Sequence, residues 1–328
     1  MTVPCVRVPR EAGEAARTAL ADADLLDGDH EIVVEDGFLY IPVRDAAAVP
    51  EDCEVVRRTP PQREGQVMPA DVLGRDPSYE RLGDVAIVDE DDPDTAREVA
   101  DAIVNSALPV RTVLNRASKV KGTERLRDWE VLAGDGTETV HREYGYEFAL
   151  DLETVYFSPR LATERHRVVE QVAPAERVVD MFAGVGPFAI PMADRGAEVL
   201  AVDVNPEAIG YLRENAARNG VEAAVTAIEG DISEVAADYG NWADRLVMNL
   251  PHSADEFLDA AVTLAGDECV LHYYDIQSDA DPFGPGEAAI RAAADPAGYE
   301  VTVETRREVR SYAPHELNVC LDVRLTRP

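Results

Sequence analysis

From about residue 159 to the C-terminus, short apolar segments alternate with segments of helical periodicity. Helices that cross over between successive strands bring those strands together in parallel and cover both faces of the sheet. A hydrophobic content of 46% in 328 residues is enough for a large core and two or three domains. The pattern therefore predicts an α/β fold on a doubly wound parallel sheet, with strands at VVDMF, EVLAVDV, AAVTAIEGD, DRLVMNL and CVLHYYD.

The chain before this region divides into a small unit, a linker and a middle unit. In the first we expect a strand at 5–8, a helix from 11 to about 26 and two strands around Gly37. A polar stretch rich in Pro and Gly marks the linker. The middle unit should contain strand 85–89, helix 93–107 and the alternating segments TETVHREY and YEFALDLETVYF. The predicted boundaries are 1–60, 61–80, 81–157 and 158–328.

A glycine turn follows the first strand of the C-terminal region. Gly184 and Gly186 in AGVGPFAI let the backbone turn tightly before a helix. A dinucleotide fold would have a third Gly three residues after Gly186, where this chain has Ala189. Asp180 ends the strand just before the turn, and its carboxylate would repel a pyrophosphate. The turn is therefore better suited to a cationic ligand than to a dinucleotide.

Two more acids follow the next two strands. Asp203 ends EVLAVD, where a carboxylate can accept both hydroxyls of a ribose, and Asp231 follows VTAIEG, where it can accept from an adenine amine. Each acid alone could equally be a helix cap or a loop residue. Together with Asp180, they form a pattern suited to S-adenosylmethionine, whose sulfonium and amino groups are cationic.

The charge of the chain is extreme, with 64 acidic and 31 basic residues and a net charge of -33. Such a balance usually opposes nucleic-acid binding. Because the acids are dispersed over well-patterned segments, we favour adaptation of the whole surface to a very salty cytoplasm, in which case net charge says little about partners. No apolar run approaches the roughly 18 residues of a membrane span, and no signal core is present, so a cytoplasmic location is expected. The four cysteines have neither disulfide nor zinc spacing, and no metal is expected.

Four segments together resemble one family. DMFAGVGPF, AVDVNPEAI, EGD and MNLPHSADEFL resemble, in order and spacing, the archaeal and eukaryotic type of tRNA (guanine-37-N1)-methyltransferase. The resemblance implies a Rossmann-like class I methyltransferase domain, a small N-terminal α+β domain that reads tRNA and a middle α+β unit that binds RNA. It also implies S-adenosyl-L-methionine as cofactor, the anticodon loop and overall L-shape of tRNA as partner, and a monomer without an obligate protein partner.

Helical periodicity in SPRLATERHRV places Arg160, Glu164 and Arg167 on one face, which could be only a row of exposed ion pairs. The resemblance instead implies that Glu164 is the general base for the guanine N1 proton. It further implies a cation at O6, matched best by Arg125, with Arg127 as a near competitor. Contacts to tRNA are implied or suggested for Arg160, Arg165, Tyr156, Lys119 and Lys121.

The segment NLPHSADEF forms a corner between a strand and a helical pattern. The Asn249 carboxamide can both donate to and accept from a purine edge, and Pro251 stiffens the backbone beside it. Ser253 and Glu256 have the spacing of a capping box for the next helix. The resemblance implies that Asn249 and Pro251 shape the acceptor pocket, with a late loop at 312–314 near it. The cofactor set is Asp180, Phe182, Gly184, Gly186, Asp203, Asp231 and Asn249.

Several other functions are compatible with parts of this pattern. A wybutosine-pathway enzyme would transfer an aminocarboxypropyl group to a modified guanosine 37, although that branch lacks the Asn-Leu-Pro corner. A methyltransferase with added activity on the carbon of a tricyclic guanine derivative is also compatible. A nicotinamide-dependent oxidoreductase conflicts with the missing third Gly, and a non-catalytic tRNA-binding module conflicts with the retention of Glu164 and the cofactor set.

Overall fold

The computed structural model describes residues 2–50, 53–63, 65–118, 122 and 126–327, and it divides into two compact units, 1–68 and 69–328. The first unit is a four-stranded antiparallel sheet of order β2-β3-β1-β4 with one helix. Its core includes Val6, Leu20 and Ile41. Its elements are β1 (Val3–Pro9), α1 (Gly13–Asp22), β2 (Val33–Glu35), β3 (Phe38–Pro42) and β4 (Glu54–Arg58).

Helix α1 is shorter than the sequence predicts. A 3-10 turn, Arg10–Ala12, precedes it, and the helix ends at Asp22 instead of near Leu26. Asp24 adopts a left-handed backbone with φ of 54°, which breaks the helical path. Leu26 is instead in a bridge with Val43 at the edge of the sheet.

The second unit opens with a small α/β layer. The sheet has the order β5-β6-β7-β8, and β6 and β7 are parallel because a helix crosses over between them. Asp92 caps that helix by accepting from Thr95 N at 2.8 Å. The predicted linker contains one short helix. The elements are α2 (Pro69–Leu73), β5 (Glu80–Leu82), β6 (Val85–Val88), α3 (Pro93–Val104), β7 (Thr112–Arg116) and β8 (Trp129–Ala133), followed by the hairpin of β9 (Glu138–Glu143) and β10 (Tyr146–Asp151).

The large sheet has seven strands in the order β13-β12-β11-β14-β15-β17-β16. The first five are parallel and are connected through helices, as the alternating pattern predicts. They are β11 (Arg177–Asp180), β12 (Glu198–Asp203), β13 (Val225–Glu229), β14 (Ala243–Met248) and β15 (Ala265–Ser278). The helices are α4 (Ala162–Val169), α5 (Ala189–Asp194), α6 (Pro206–Arg218), α7 (Ile232–Val235), α8 (Leu258–Leu264) and α9 (Gly284–Ala294).

Two further strands, which the sequence did not predict, extend the parallel sheet in the antiparallel sense. β16 (Glu300–Ala313) and β17 (Glu316–Thr326) form a long hairpin, and β17 pairs antiparallel with β15 over eleven residue pairs from Glu268 to Ser278. A tight turn can join only antiparallel neighbours, so this end of the sheet needs no crossover helix. The hairpin brings residues far apart in sequence next to β15.

Asn215 of α6 connects this helix to the middle hairpin and to the glycine turn. Its side chain is fully buried. Its Oδ1 accepts from Ala149 N at 2.7 Å, and its Nδ2 donates to Ala149 O at 2.9 Å and to Val185 O at 3.1 Å. One carboxamide therefore satisfies three buried backbone groups.

We expect Asn215→Ala to lower the free energy of unfolding by about 2–4 kcal/mol, because three buried backbone groups lose their partner. Urea unfolding followed by fluorescence measures the change. The matched control is Asn105→Ala, which removes an exposed carboxamide bonded to Asp101 O and should change stability by less than about 0.5 kcal/mol. Equal unfolding midpoints for the two variants would contradict the bridging role of Asn215.

Candidate active site

The glycine turn between β11 and α5 has the backbone that the sequence predicts. Gly184 and Gly186 have φ values of 53° and 92°, in the left-handed region. A Cβ on Gly186 would lie 2.9 Å from Cδ1 of Ile190, so this glycine allows α5 to pack closely. A Cβ on Gly184 would have only the backbone oxygen of Tyr156 within 4 Å, at 3.9 Å. The space above Gly184 is therefore open enough for a ligand.

Asp180 ends β11 with its side chain only 1% exposed, and neither carboxylate oxygen has a well-directed hydrogen bond. Burial and the negative charge of Asp203 raise the pKa of Asp180 to about 7, although the N–H groups of Phe182 and Ala189 oppose the rise. A buried carboxylate without a partner is costly unless a ligand compensates it. The cationic groups of S-adenosylmethionine fit this requirement.

Asp203 and Asp231 lie close together at the ends of their strands, since Gly230 N donates to the backbone oxygen of Asp203 at 3.0 Å. The Asp203 carboxylate accepts from Gly184 N at 2.7 Å and from Asn205 N at 2.9 Å, so it also stabilises the glycine turn. Asp231 caps α7 through Ser233 N at 2.8 Å. Asp231 therefore does act as a helix cap, which was one of the two roles that the sequence allowed. Its second carboxylate oxygen remains available to another donor.

The Asn-Leu-Pro corner follows β14. The Asn249 carboxamide is half-buried and makes no hydrogen bond with any residue that the structure describes. Ile276 N of β15 donates to Pro251 O at 3.0 Å, which fixes the corner to the sheet. Tyr312 OH lies 3.0 Å from Nε2 of His252. The Asn249 carboxamide therefore has its N–H donors and its oxygen acceptor available, and the contacts of Pro251 and His252 hold the backbone that follows it.

One prediction about this corner is wrong and another is only partly correct. Ser253 makes no side-chain cap bond, because the chain continues as a 3-10 turn, Ala254–Phe257, and only then enters α8. The capping box would need an α-helical first turn for its geometry. The late segment 312–314 is only partly a loop, since Tyr312 lies within β16 and Pro314 follows in the turn to β17. Phe182, predicted to touch the cofactor, packs edge-on against Phe257 of the 3-10 turn with ring centroids 5.0 Å apart.

Glu164 is 4% exposed on α4 and has three partners. Arg167 donates to both of its oxygens, at 2.7 and 2.9 Å, and Tyr274 OH donates to Oε1 at 3.0 Å. Arg307 Nε lies 2.7 Å from Oε2 as an ion pair, but it forms no directed hydrogen bond. The predicted face of three residues is correct only for Glu164 and Arg167, because Arg160 pairs with Glu80 at 3.1 Å.

The Glu164 contacts continue into the core as a buried charged chain. Arg167 Nη1 donates to Asp322 at 2.6 Å, and Asp322 contacts Nδ1 of His272 at 2.6 Å. His272 Nε2 lies 2.6 Å from Arg245 Nη1. Although burial acts to raise it, these partners hold the pKa of Asp322 well below its usual range, and burial lowers the pKa of His272. Cys320 lies within 4.8 Å of His272 and Asp322, but the guanidinium groups already occupy this cluster.

β15 brings the base, the corner and the glycine turn together. The Tyr274 hydroxyl bonds Glu164, and the backbone N of Ile276, two residues on, bonds Pro251, so neighbouring positions of one strand hold both groups. The Tyr274 ring also packs against Phe188 of the glycine turn, with centroids 6.1 Å apart. Sequence reasoning missed Tyr274, although its place in the strand CVLHYYD, following the Asn-Leu-Pro strand, could have suggested it.

The predicted RNA contacts have different environments. Arg165 is 3% exposed, pairs with Glu143 at 2.5 Å and donates to Ser158 O, so it cross-links α4 and β9 instead of facing solvent. Arg160 is half-exposed. Tyr156 is half-buried beside Gly184. The positions Lys119, Lys121 and Arg125 lie outside the described residues.

Arg127, the alternative cation for O6, is described. It is half-buried, 5.4 Å from the Trp129 ring centroid, and has no carboxylate partner among the described residues. Burial and the charge of Arg116 lower its pKa, while Tyr156 acts to raise it. A half-buried guanidinium without an anion, near Tyr156, is available to an acceptor oxygen.

Three family models match successive parts of the chain. The tRNA methyltransferase 5 N-terminal domain matches residues 5–51, the TYW2 N-terminal domain matches 66–137, and the TRM5/TYW2 methyltransferase domain matches 139–302. The first match covers the small unit, the second covers the α/β layer of the middle region, and the third covers the β9–β10 hairpin and most of the large sheet. The glycine turn, Glu164 and Asn249 all fall within the third match.

Among curated proteins, the chain is 40% identical to tRNA (guanine(37)-N(1))-methyltransferase Trm5b of Pyrococcus abyssi, over 98% of each chain. It is 34% identical to the Trm5b of Methanocaldococcus jannaschii, over 98% of this chain and 99% of the other. A tRNA(Phe) (4-demethylwyosine(37)-C(7)) aminocarboxypropyltransferase of Pyrococcus horikoshii is 35% identical, but over 66% of this chain and 78% of the other.

Solved structures give the same picture. Trm5b from P. abyssi superposes with a TM-score of 0.72 at 38% identity, covering 99% of both chains. The complex of aTrm5 with tRNALeu has a TM-score of 0.72 at 31% identity and covers 98% of this chain and 99% of the other. M. jannaschii TYW2 in complex with AdoMet has a TM-score of 0.62 at 29% identity, covering 76% of this chain and all of the other.

We expect Asp180→Asn to be about as stable as the wild type near pH 4 and more stable by up to about 4 kcal/mol at pH 8. The unfolded carboxyl ionises near pH 4, whereas the folded one keeps its proton until about pH 7, so wild-type stability falls between these values. Urea unfolding at pH 4, 6 and 8 measures the difference. The control Asp238→Asn removes the same charge at an exposed position. An Asp180→Asn effect that is constant with pH would contradict the shift.

Proposed function

The chain belongs to the TRM5/TYW2 methyltransferase family and is an S-adenosylmethionine-dependent tRNA (guanine-37-N1)-methyltransferase, in which we propose that Glu164 accepts the N1 proton. The match to Trm5b over 98% of each chain supports the reaction. The observation that carries the proposed chemistry is that β15 holds both a buried carboxylate, through Tyr274, and the Asn-Leu-Pro corner, through Ile276.

Guanine N1 carries a proton at neutral pH, so the acceptor must be deprotonated as the methyl group arrives. S-adenosylmethionine supplies the electrophilic methyl group. Glu164 is held in one orientation by Arg167 and Tyr274, which use both lone pairs of Oε1 and one of Oε2. The remaining Oε2 position is covered by Arg307, without a directed hydrogen bond. Oε2 is therefore the atom that takes the proton once Arg307 turns away.

Loss of the N1 proton sends negative charge to O6, and a cation there lowers the barrier. Arg125 is the residue that the family resemblance implies. Arg127 is two residues on, half-buried and without a carboxylate partner, so it is placed to serve the same purpose. Arg160 and Tyr156 are the other described candidates for contacts to the anticodon loop.

Asn249 positions the purine edge with its free carboxamide, while the Ile276 contact to Pro251 keeps that carboxamide in place. Positioning of this kind is most of what an in-line displacement requires from a protein. For the cofactor, Asp180 faces a cationic group, Asp203 and Asp231 accept from hydroxyl and amine donors, and Gly184 leaves room above the turn.

The related aminocarboxypropyltransferases match a smaller share of the chain, 66% in P. horikoshii, and the N-terminal match is to the tRNA methyltransferase 5 domain. None of the helices in the described part of the chain is long and apolar enough to cross a membrane. A cytoplasmic location, a monomeric state, added activity on tricyclic guanine derivatives and adaptation to high salt remain predictions.

The activity test uses a tRNA transcript with guanosine at position 37 and S-adenosylmethionine, in low and high salt. We expect mass spectrometry to show a gain of one methyl group, mapped by nuclease digestion to N1 of guanosine 37. A transcript with adenosine at position 37 is the control and should stay unmodified. A gain of an aminocarboxypropyl group, or methylation elsewhere, would contradict the assignment.

Glu164→Gln keeps the shape of the side chain but removes its basicity. We expect the single-turnover methylation rate to fall by about 10²- to 10⁴-fold, the usual contribution of a general base. Binding of S-adenosylhomocysteine, measured by calorimetry, should be unchanged. The control is Glu170→Gln, at the C-terminal cap of α4, where the carboxylate pairs with Arg195. A wild-type rate in Glu164→Gln would show that another group takes the proton.

A further inference from the structure

Three buried polar atoms without a hydrogen bond lie on one face of the β15–β17–β16 edge. They are Arg307 Nε and Arg310 Nε of β16 and Asn318 Oδ1 of β17. Asn318 is 3% exposed, and Arg307 and Arg310 are half-buried. Buried polar atoms in folded proteins nearly always have partners, so a group of three is a local exception.

Strand register shows that these side chains share the face of the sheet that carries Glu164. Tyr274 pairs with Cys320, and Cys320 pairs with Arg307, in the row that contacts Glu164. Residues directly opposite one another in an antiparallel pair point to the same face, and so do residues two apart. One step along, Ile276 pairs with Asn318 and Asn318 with Arg310. The second row is therefore adjacent to the first.

The strand β15 that supplies Tyr274 and Ile276 to these rows is also bonded to the acceptor corner, because Ile276 N donates to Pro251 O at 3.0 Å. Because β17 and β16 lie on the side of β15 away from β14, the three unpartnered groups extend from Glu164 toward the edge of the sheet opposite the corner. None of the described carboxylates pairs with Arg310. In a chain with 64 acidic residues, an arginine without an acidic partner beside a catalytic pocket is open to an external anion.

The geometry points to a subsite for the ribose-phosphate of the acceptor nucleotide, an inference that rests on the proposed tRNA methylation. Arg307 and Arg310 donate to the phosphate oxygens, and Asn318 Oδ1 accepts from the ribose 2′-hydroxyl. The three groups without a hydrogen bond are two donors and one acceptor. A ribonucleotide backbone has matching partners, because its phosphate oxygens accept and its 2′-hydroxyl donates. A deoxyribonucleotide lacks the hydroxyl, so the subsite favours RNA over DNA.

The subsite also offers Arg307 an alternative partner to Glu164. Its side chain is 42% exposed and its ion pair with Glu164 lacks a directed hydrogen bond, so a phosphate offers a better acceptor. Moving from Glu164 to the phosphate uncovers Oε2. Binding of the acceptor nucleotide and exposure of the general base, Glu164, therefore occur together.

The first test measures tRNA affinity as a function of salt. Each phosphate contact in single-stranded RNA contributes about 0.7 to the slope of log affinity against log salt concentration. We expect Arg310→Gln to reduce the slope by about that amount and to weaken binding. The control Arg306→Gln removes the same charge from the opposite face of β16, where Arg306 pairs with Glu287 at 2.5 Å. Equal slopes for the two variants would overturn the phosphate contact.

The second test combines Asn318→Ala with a tRNA carrying 2′-deoxyguanosine at position 37. Each change alone should lower kcat/KM by about three- to tenfold, the value of one hydrogen bond, and the two together should cost no more than the larger. A 2′-deoxy substitution in the acceptor stem should have no effect. Losses that multiply in the double change would overturn the hydroxyl contact.

Binding of S-adenosylhomocysteine by each variant shows that the methyltransferase unit remains folded, and Arg310→Gln tests the subsite independently if Asn318→Ala does not fold. Failure of the wild type to methylate guanosine 37 would remove the proposed function itself. Wild-type methylation combined with an Arg310→Gln variant indistinguishable from Arg306→Gln would remove only the subsite.

Discussion

A buried chain of charges holds the active-site helix on the sheet. From Glu164 it passes through Arg167, Asp322 and His272 to Arg245, with each link between 2.6 and 2.9 Å. Burying several charges is costly, and the loss of one partner leaves another uncompensated, typically at 3–5 kcal/mol. Such a chain adds little net stability, but a shift of α4, β15 or β17 relative to the others would leave at least one of its charges unpaired. The orientation of Glu164 depends on that arrangement.

At the cofactor end of the site, by contrast, two carboxylates lie close enough to repel each other. Asp180 and Asp203 hold like charges near a tight turn, and the pKa of Asp180 rises to about 7 through burial and that neighbouring charge. Asp203 is stabilised by two backbone N–H groups, whereas Asp180 lacks a directed donor. We propose that a cationic ligand relieves this destabilisation, so that the lower stability of the empty site favours the binding of a cation. The two ends of the pocket therefore use opposite solutions to the burial of carboxylates.

Local sequence patterns predicted the elements that depend on local chemistry. Five parallel strands, the glycine turn and the acids at strand ends need only short-range features such as apolar runs and the φ range of Gly184 and Gly186. The β16–β17 hairpin was missed because β16 is rich in charged residues and faces solvent on one side, so it lacks the apolar run of the predicted strands. Its functional side chain, Arg307, meets Glu164 across 143 positions of sequence. The burial of Arg165 against Glu143 could not be predicted either, because a pairing between distant residues leaves no periodic trace.

Because acidic residues are in large excess in this chain, arginines without an acidic partner are unusual and are candidates for RNA contacts. Many arginines in the described chain are neutralised locally, as in the pairs Arg142 with Glu147 and Arg324 with Glu268. A surface of this kind repels RNA at long range, and salt reduces that repulsion to contact distances. Attraction must then come from cations that the protein has left without acidic partners. Arg127 and Arg310 are two such cations beside the proposed pocket, and we therefore propose that recognition depends on a few short contacts and not on a basic surface.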